Sequence, residues 1–285
     1  MNAILVLDKP AGMSSAAAVD SVKKRLGAQR AGHGGTLDPI ATGVLPICLD
    51  EATKLAQYLL ADDKGYEADL LLGVETDTLD RTGTVTATRP VEVTREAMLA
   101  ALAARTGEQD QVPPMYSAIK QGGVRLYQHA RAGVEVEREA RRIRIDALEL
   151  LAFEPPRVRI AIACSKGTYV RSLIADLGTD LGCGAHMTEL RRTRSGVFTL
   201  AMAHDLDRLD NPRLVAMTDA TRLPKVVVPA ERVPHVRSGV QLPVEVLGVP
   251  PENFERFQLL DEAGSLLAIA HVARAKVIYD RVFKP

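Results

Sequence analysis

The chain has no tryptophan, and only six tyrosines and five phenylalanines among its 285 residues. Any aromatic stacking surface is therefore sparse, and each aromatic near a site counts. Its three cysteines, Cys48, Cys164 and Cys183, are odd in number, scattered and without CxxC spacing. They read as reduced thiols with neither a disulfide nor a metal role. A surplus of charge is missing too, because Lys+Arg and Asp+Glu each number 36, so bulk charge gives no hint of nucleic acid. Long hydrophobic runs are absent: Ile4 to Leu7 and Tyr58 to Ala61 fall far short of the ~20 residues a membrane helix needs. No basic region followed by an apolar core opens the chain, so no secretory signal is expected. These absences together point to a cytoplasmic protein that does not engage a membrane.

Several chemistries are excluded in the same way. The histidines at 33, 129, 186, 204, 235 and 271 have no HxxxH spacing and no cysteine partner, which makes a zinc site unexpected. A GxSxG elbow is lacking, as is a second carboxylate nominated to pair with a first in the manner of glycosidases. Neither a metal nor a cofactor is called for. The 46% hydrophobic and 25% charged composition is that of an ordinary globular protein.

What is present has a clear order. Ala3 to Asp8 is an apolar run suited to a buried strand, ended by Lys9-Pro10-Ala11-Gly12. Ser14 or Ser15 can cap a helix running to Leu26, with Val19, Val22 and Leu26 on one face and Gly27 stopping it. Glu51 to Leu60 has helical spacing, Ala68 to Gly73 resembles a strand, and Thr94 to Arg105 is a second capped helix. Residues 111–142 are polar, glycine-containing and basic, more like an insertion than core. Arg144 to Leu151 and Arg157 to Cys164 read as paired strands split by Pro155-Pro156, followed by an amphipathic helix over Tyr169 to Leu181 and a short strand at Val197 to Leu200. Long β runs interspersed with helices predict an α+β sheet. From Val226 prolines punctuate short apolar runs, which predicts a small all-β module. Arginines cluster at 138, 141, 142 and 144 and again at 191, 192 and 194. Either cluster is a solvated face or a local phosphate-binding patch.

The stretch Gly32-His33-Gly34-Gly35-Thr36-Leu37-Asp38-Pro39 carries the strongest chemical signal. Three glycines in four positions allow close backbone approach, and Pro39 restricts Asp38 to extended geometry. A carboxylate held this way is either a nucleophile or general base, or the cap of a tight turn. The stretch is neither GxGxxG nor a Walker loop.

With the continuation Ile40-Ala41-Thr42-Gly43-Val44-Leu45, the stretch resembles the catalytic motif of the bacterial TruB-type tRNA pseudouridine synthases. Three further blocks in the family's order support the resemblance over about the first 200 residues. These are Asp8-Lys9-Pro10-Ala11-Gly12-Met13-Ser14-Ser15, then Pro113-Pro114-Met115-Tyr116-Ser117-Ala118-Ile119-Lys120 with Gly123, Leu126-Tyr127 and Ala130-Arg131, and finally Cys164 to Leu173 with Leu190 to Gly196. Two positions depart from the family's usual pattern. Gly34 stands where threonine, valine or serine is common, which would loosen the loop, and Ser14 stands where threonine is usual.

The resemblance implies a pseudouridine-synthase-like fold: a mixed, largely antiparallel sheet flanked by helices over residues 1–228, with an RNA-clamping insertion near 111–142 and a PUA-like all-β domain over 229–285. It implies isomerisation of a T-loop uridine in tRNA by base flipping, with Asp38 as nucleophile or base. Tyr66 would stack on the flipped base, Tyr169 and Leu190 would line the uracil pocket, and Arg171 would pair with the aspartate. His33 would help hold the displaced nucleotide or its phosphate, and Lys9 would support the site from behind. Arg125, Arg131, Arg141 and Arg142 are candidate phosphate contacts. The enzyme would work as a monomer on the T-stem and loop, its C-terminal domain on the acceptor end. Rival readings are a guide-RNA-dependent synthase and a tRNA-folding chaperone.

Overall fold

The computed structural model describes residues 1–117, 120, 121, 124–126, 128, 134, 136–247 and 255–284. Of the central block, Ala118, Ile119, Gly123, Tyr127, Ala130 and Arg131 lie outside the described residues, and Arg125 is described by its backbone alone. Two compact units are distinguished. The first comprises Met1–Asp38, Val44–Ala61 and Gly196–Pro285; the second comprises Pro39–Gly43 and Asp62–Ser195.

In chain order the chain runs β1 (Ala3–Lys9), α1 (Ser15–Leu26), β2 (Ala31–His33), β3 (Thr42–Leu49), a 3-10 turn at Asp50–Leu55 and α2 (Ala56–Leu60). Then come β4 (Lys64–Leu72), β5 (Val74–Thr76), β6 (Val85–Thr88), α3 (Arg95–Ala104), β7 (Gly107–Gln111), β8 (Lys120–Gln121) and β9 (Val124–Arg125). After them lie β10 (Arg141–Glu154), β11 (Arg157–Cys164), α4 (Val170–Asp180), β12 (Ala185–Ser195), β13 (Phe198–Thr199), β14 (His204–Asp205) and β15 (Val215–Ala216). The chain finishes with β16 (Lys225–Val227), α5 (Val233–Arg237), β17 (Phe257–Leu260), β18 (Leu266–Ala273) and β19 (Lys276–Val282).

In the first unit, β1 buries Ile4, Leu5, Val6 and Leu7 completely, the signature of a strand covered on both faces. It pairs in parallel with β14 and antiparallel with β15, and β2 pairs antiparallel with β3 from Ala31↔Leu49 to His33↔Ile47. Helix α1 starts where Ser14 Oγ accepts the Ala17 N–H and stops at Gly27, whose φ of 65° is the left-handed conformation glycine adopts without strain. The C-terminal strands form their own sheet in the order β16-β17-β18-β19. They are the small β module expected from the proline-punctuated texture. Its Leu260, Leu266, Ile269 and Phe283 share a core with Ile4, Val6, Val44, Cys48 and Phe198. A second core closes the module from within around Val236, Leu242, Phe257, Leu259 and Val277.

The second unit is built on the antiparallel order β12-β4-β11-β10-β7. Strand β11 alternates strictly, burying Val158, Ile160, Ile162 and Cys164, as period-two geometry requires of a strand with one face inward. Pro155-Pro156 is the turn between β10 and β11, which pair as expected. Helix α4 packs on β12 and α3 on β10. Strands β7 and β10 are zipped from Gly107↔Ile145 to Gln111↔Arg141, and the described residues between 112 and 140 take no part in that pairing. Two exposed arginines of β10 are partnered by carboxylates: Arg142 lies 3.0 Å from Glu108 and 3.6 Å from Asp110, and Arg144 lies 2.6 Å from Asp146 and 3.6 Å from Asp63.

The fold is thus α+β, a mixed sheet flanked by helices with a C-terminal β module. Expected elements appear with modest shifts. The Glu51 to Leu60 helix splits into a 3-10 turn and α2, and the Val197 to Leu200 strand shrinks to β13. Strand β12 differs more, because its charged sequence gave no strand signal.

Candidate active site

In the first unit, Lys9 ends β1 fully buried, and its Nζ donates to the carbonyls of Pro10 at 2.8 Å and Met13 at 2.7 Å. An ammonium taken out of water requires such partners, and in return it ties the turn that leads into α1. Ser14 caps that helix, and Ser15 does something different. Its Oγ accepts the Leu37 N–H at 2.8 Å and donates to the Leu37 carbonyl at 2.9 Å. The last residue of the first sequence block therefore clamps both main-chain groups of the residue before Asp38, and both Ser15 and Leu37 are buried.

The glycine loop is held from its other side. Gly34 donates its N–H to the Pro46 carbonyl at 2.9 Å, and Gly35 donates to His33 Nδ1 at 3.4 Å. Gly35 has φ 144°, a conformation that penalises a β carbon. Gly34 is glycine for a different reason: a β carbon there would sit 2.8 Å from Leu59 Cβ and 3.0 Å from its Cδ1. Leu59 occupies the space a larger residue would need, so glycine is what fits at this position. Gly34 is also buried and hydrogen-bonded. Asp38 follows, half-buried.

In the second unit, Thr42 and Gly43 at the start of β3 pair in parallel with Arg191 and Arg192 of β12. Gly43 has φ 100°, and a β carbon on it would lie 2.2 Å from the Arg192 carbonyl oxygen, so no other residue fits. Tyr66 on β4 is directly opposite Arg192, and Leu190 is opposite Ala68. Opposed residues of an antiparallel pair share a face, which groups Tyr66, Leu190 and Arg192 on one side of the sheet. Arg192 is 1% exposed and hydrogen-bonded to Tyr66; burial lowers its pKa, and the Tyr66 oxygen pulls it back up. Lys64, two residues before Tyr66, is also buried. Burial, reinforced by the neighbouring Arg192 charge, pushes its ammonium down to about 8.

Tyr169 and Arg171 come together at the start of α4. Tyr169 is the N-cap residue, with no side-chain bond to the helix. Its N–H donates to Gln111 Oε1 at 2.8 Å, and its carbonyl accepts from Gln111 Nε2 at 3.1 Å. Arg171 is buried, donating to the carbonyls of Thr78 at 3.1 Å and Tyr116 at 2.8 Å, with Asp80 Oδ2 3.6 Å away. Asp80 Oδ1 is saturated by the Thr78 hydroxyl and by both the N–H and hydroxyl of Thr82, which leaves Oδ2 for the guanidinium.

Sequence reasoning named Lys9, His33, Asp38, Tyr66, Tyr169, Arg171 and Leu190 but missed the partners that fix them. Ser15 was read as part of a motif and as an alternative helix cap, and Asp80 was not read at all. Arg192 read as part of a surface cluster, and the structure corrects that to a buried side chain. Among the described residues no group of three or more His, Cys, Asp or Glu side chains is placed to hold a metal ion.

Residues 23–170 match the family model described as TruB family pseudouridylate synthase, N-terminal domain, and residues 171–233 match that of the tRNA pseudouridylate synthase B C-terminal domain. The tRNA pseudouridine synthase B of Aromatoleum aromaticum is 50% identical over 258 residues, covering 88% of this chain and 82% of the relative. Its counterpart in Ralstonia nicotianae is 46% identical over 283 residues, covering 95% and 90%. Among solved structures, a Cbf5-Nop10-Gar1 complex superposes with a TM-score of 0.79 at 29% identity over 99% of this chain and 85% of the matched one. An H/ACA RNP bound to a substrate RNA containing 2′-deoxyuridine gives 0.75 at 27% identity, over 99% and 85%.

Proposed function

The chain belongs to the TruB family of pseudouridylate synthases and is an isomerase that makes pseudouridine in tRNA; from that premise we propose that its target is a T-loop uridine and that Asp38 carries the chemistry. The reaction breaks the bond between ribose C1′ and uracil N1, turns the base, and joins C1′ to C5. The C5 proton leaves to water and N1 gains one, with no change of oxidation state.

The uridine has to leave its stack before a side chain can reach C1′, at a cost of a few kcal/mol that new contacts must offset. Tyr66 stacks on the flipped uracil, Tyr169 and Leu190 line its pocket, and His33 holds the displaced nucleotide or its phosphate. Arg171 supplies positive charge that favours an ionised carboxylate. Lys9 supports the site through the Pro10–Met13 turn. The observation that carries the assignment of Asp38 is the clamp on its neighbour. Two buried hydrogen bonds from Ser15 to Leu37 preorganise the aspartate's segment, the condition for efficient attack or proton abstraction at a fixed atom.

The T-stem and loop is read by shape and by its unpaired bases, with the insertion after Gln111 closing on the loop and the PUA-like residues 229–285 meeting the acceptor end. The protein works as a monomer in the cytoplasm; no helix among the described residues is long and apolar enough to cross a membrane. The tRNA reading is favoured by identity, 46–50% to relatives named tRNA pseudouridine synthase B against 27–29% to the chains of the Cbf5-Nop10-Gar1 and H/ACA RNP structures.

The test uses a T-arm transcript tritiated at uridine C5. Wild-type protein releases tritium and yields pseudouridine at one mapped loop position, while Asp38→Ala releases none and still binds the RNA. Release by Asp38→Ala at the wild-type rate refutes the assignment. Loss of release with the cellular effect intact returns the chaperone reading.

A further inference from the structure

The stretch Gln111–Tyr116 and the start of the helix carrying Arg171 are joined by several hydrogen bonds. Gln111 is the last residue of β7, with Arg141 opposite it, and is 4% exposed. Its amide bonds both main-chain groups of Tyr169, at 2.8 and 3.1 Å. Two further bonds follow along the same stretch. Ser172 Oγ donates to the Val112 carbonyl at 3.3 Å, and Arg171 Nη2 donates to the Tyr116 carbonyl at 2.8 Å. Three residues of the first turn of α4 thus grip three residues between 111 and 116.

We infer that Gln111 is a positioning residue, which sets the direction of the Tyr169 side chain by holding its peptide groups and links that direction to the stretch Gln111–Tyr116. A side-chain amide offers a donor and an acceptor at the spacing of a main-chain pair, so Gln111 stands in for the neighbouring strand that Tyr169 does not have. Fixing both the N–H and the carbonyl of one residue fixes its Cα–Cβ vector, the axis about which the phenol's rotamers turn. Tyr169 has no side-chain cap of its own; at the helix entry its carbonyl accepts both Gln111 Nε2 and the Leu173 N–H, and its N–H donates to Gln111 Oε1. The inference rests on the reading of Tyr169 as a pocket residue.

The full chain carrying Gln111→Leu loses both bonds. Its kcat for tritium release falls about tenfold, while KM and RNA affinity, the latter measured in the Asp38→Ala background, stay within about twofold. Because the effect passes through Tyr169, adding Gln111→Leu to Tyr169→Ala lowers kcat by less than about twofold more. A kcat for Gln111→Leu within about twofold of wild type, or losses that multiply in the double variant, overturns the inference. Should Gln111→Leu melt below the assay temperature, Gln111→Glu keeps the shape and the acceptor but loses the donor at neutral pH. An unchanged kcat in that variant overturns the inference equally. If instead Tyr169→Ala itself leaves kcat intact, the pocket reading of Tyr169 has failed, an outcome distinct from the failure of Gln111 alone.

Discussion

Replacing Ser15 by alanine removes one oxygen and strands two main-chain groups. The Leu37 N–H and carbonyl both bond that oxygen, at 2.8 and 2.9 Å, and Leu37 is 3% exposed, so water does not readily replace it. A buried group left unpaired costs about 1–3 kcal/mol. For two such groups with partial relaxation, the expected loss is about 2–4 kcal/mol. That is a large share of the ~5–15 kcal/mol of a typical domain but leaves the protein folded at 25 °C. The kinetic loss should be larger in proportion. The residue released is next to Asp38, and misplacement of a reacting group by about 1 Å costs on the order of a hundredfold.

Two assays read the two effects. Urea unfolding gives the stability difference from the midpoint at constant m, and tritium release from the T-arm transcript gives kcat. Ser14→Ala is the control. Ser14 Oγ accepts only the Ala17 N–H at the start of α1, so its loss costs about 1 kcal/mol and leaves kcat within about twofold. Ser15→Thr, which keeps the hydroxyl, should recover most of the activity. A Ser15→Ala protein that loses under about 0.5 kcal/mol, or that turns over like wild type, would refute the claim that this clamp holds the aspartate.

Gly34→Thr drives a side chain into Leu59 and should cost about 1–3 kcal/mol by overpacking; Leu59→Ala in the same chain should recover part of it, and additive losses in the double variant would rule out the clash with Leu59. Lys64 ionises at about 8 when folded against the 10.5 of an ordinary lysine. Its folded pKa is thus below the unfolded one, so the unfolded chain binds more protons between those values and stability from this group rises with pH across that window. Below about 8 the penalty is present in full, up to about 3 kcal/mol. Lys64→Met is therefore expected to be more stable than wild type at pH 7, with a gap that shrinks towards pH 10; urea unfolding showing a gap independent of pH would contradict this.

Much of the local structure was legible because it is written in short-range chemistry. Ser14 and Gly27 bound α1, Thr94 caps α3 through the Ala97 N–H, and Pro155-Pro156 turns β10 into β11. The aspartate and its glycine loop were legible through a resemblance spanning ordered blocks. What stayed hidden is what depends on partners far along the chain. Strand β12 was missed because Arg191, Arg192 and Arg194 read as a solvated charge run, whereas Arg192 is buried against Tyr66, more than a hundred residues earlier. Asp80 gave no sign of serving Arg171. Gln111 read as the first residue of a polar insertion, although its amide is committed to Tyr169. A polar side chain announces its type in the sequence but not its partner.

The paired arginines of β10 have a consequence for how an RNA would be held. Within a chain of 36 basic and 36 acidic residues, two of these cations already hold acids: Arg142 holds Glu108 and Asp110, and Arg144 holds Asp146 and Asp63. A phosphate arriving at Arg142 would have to share a guanidinium that already holds two carboxylates, so such a contact would add less than a bare cation would.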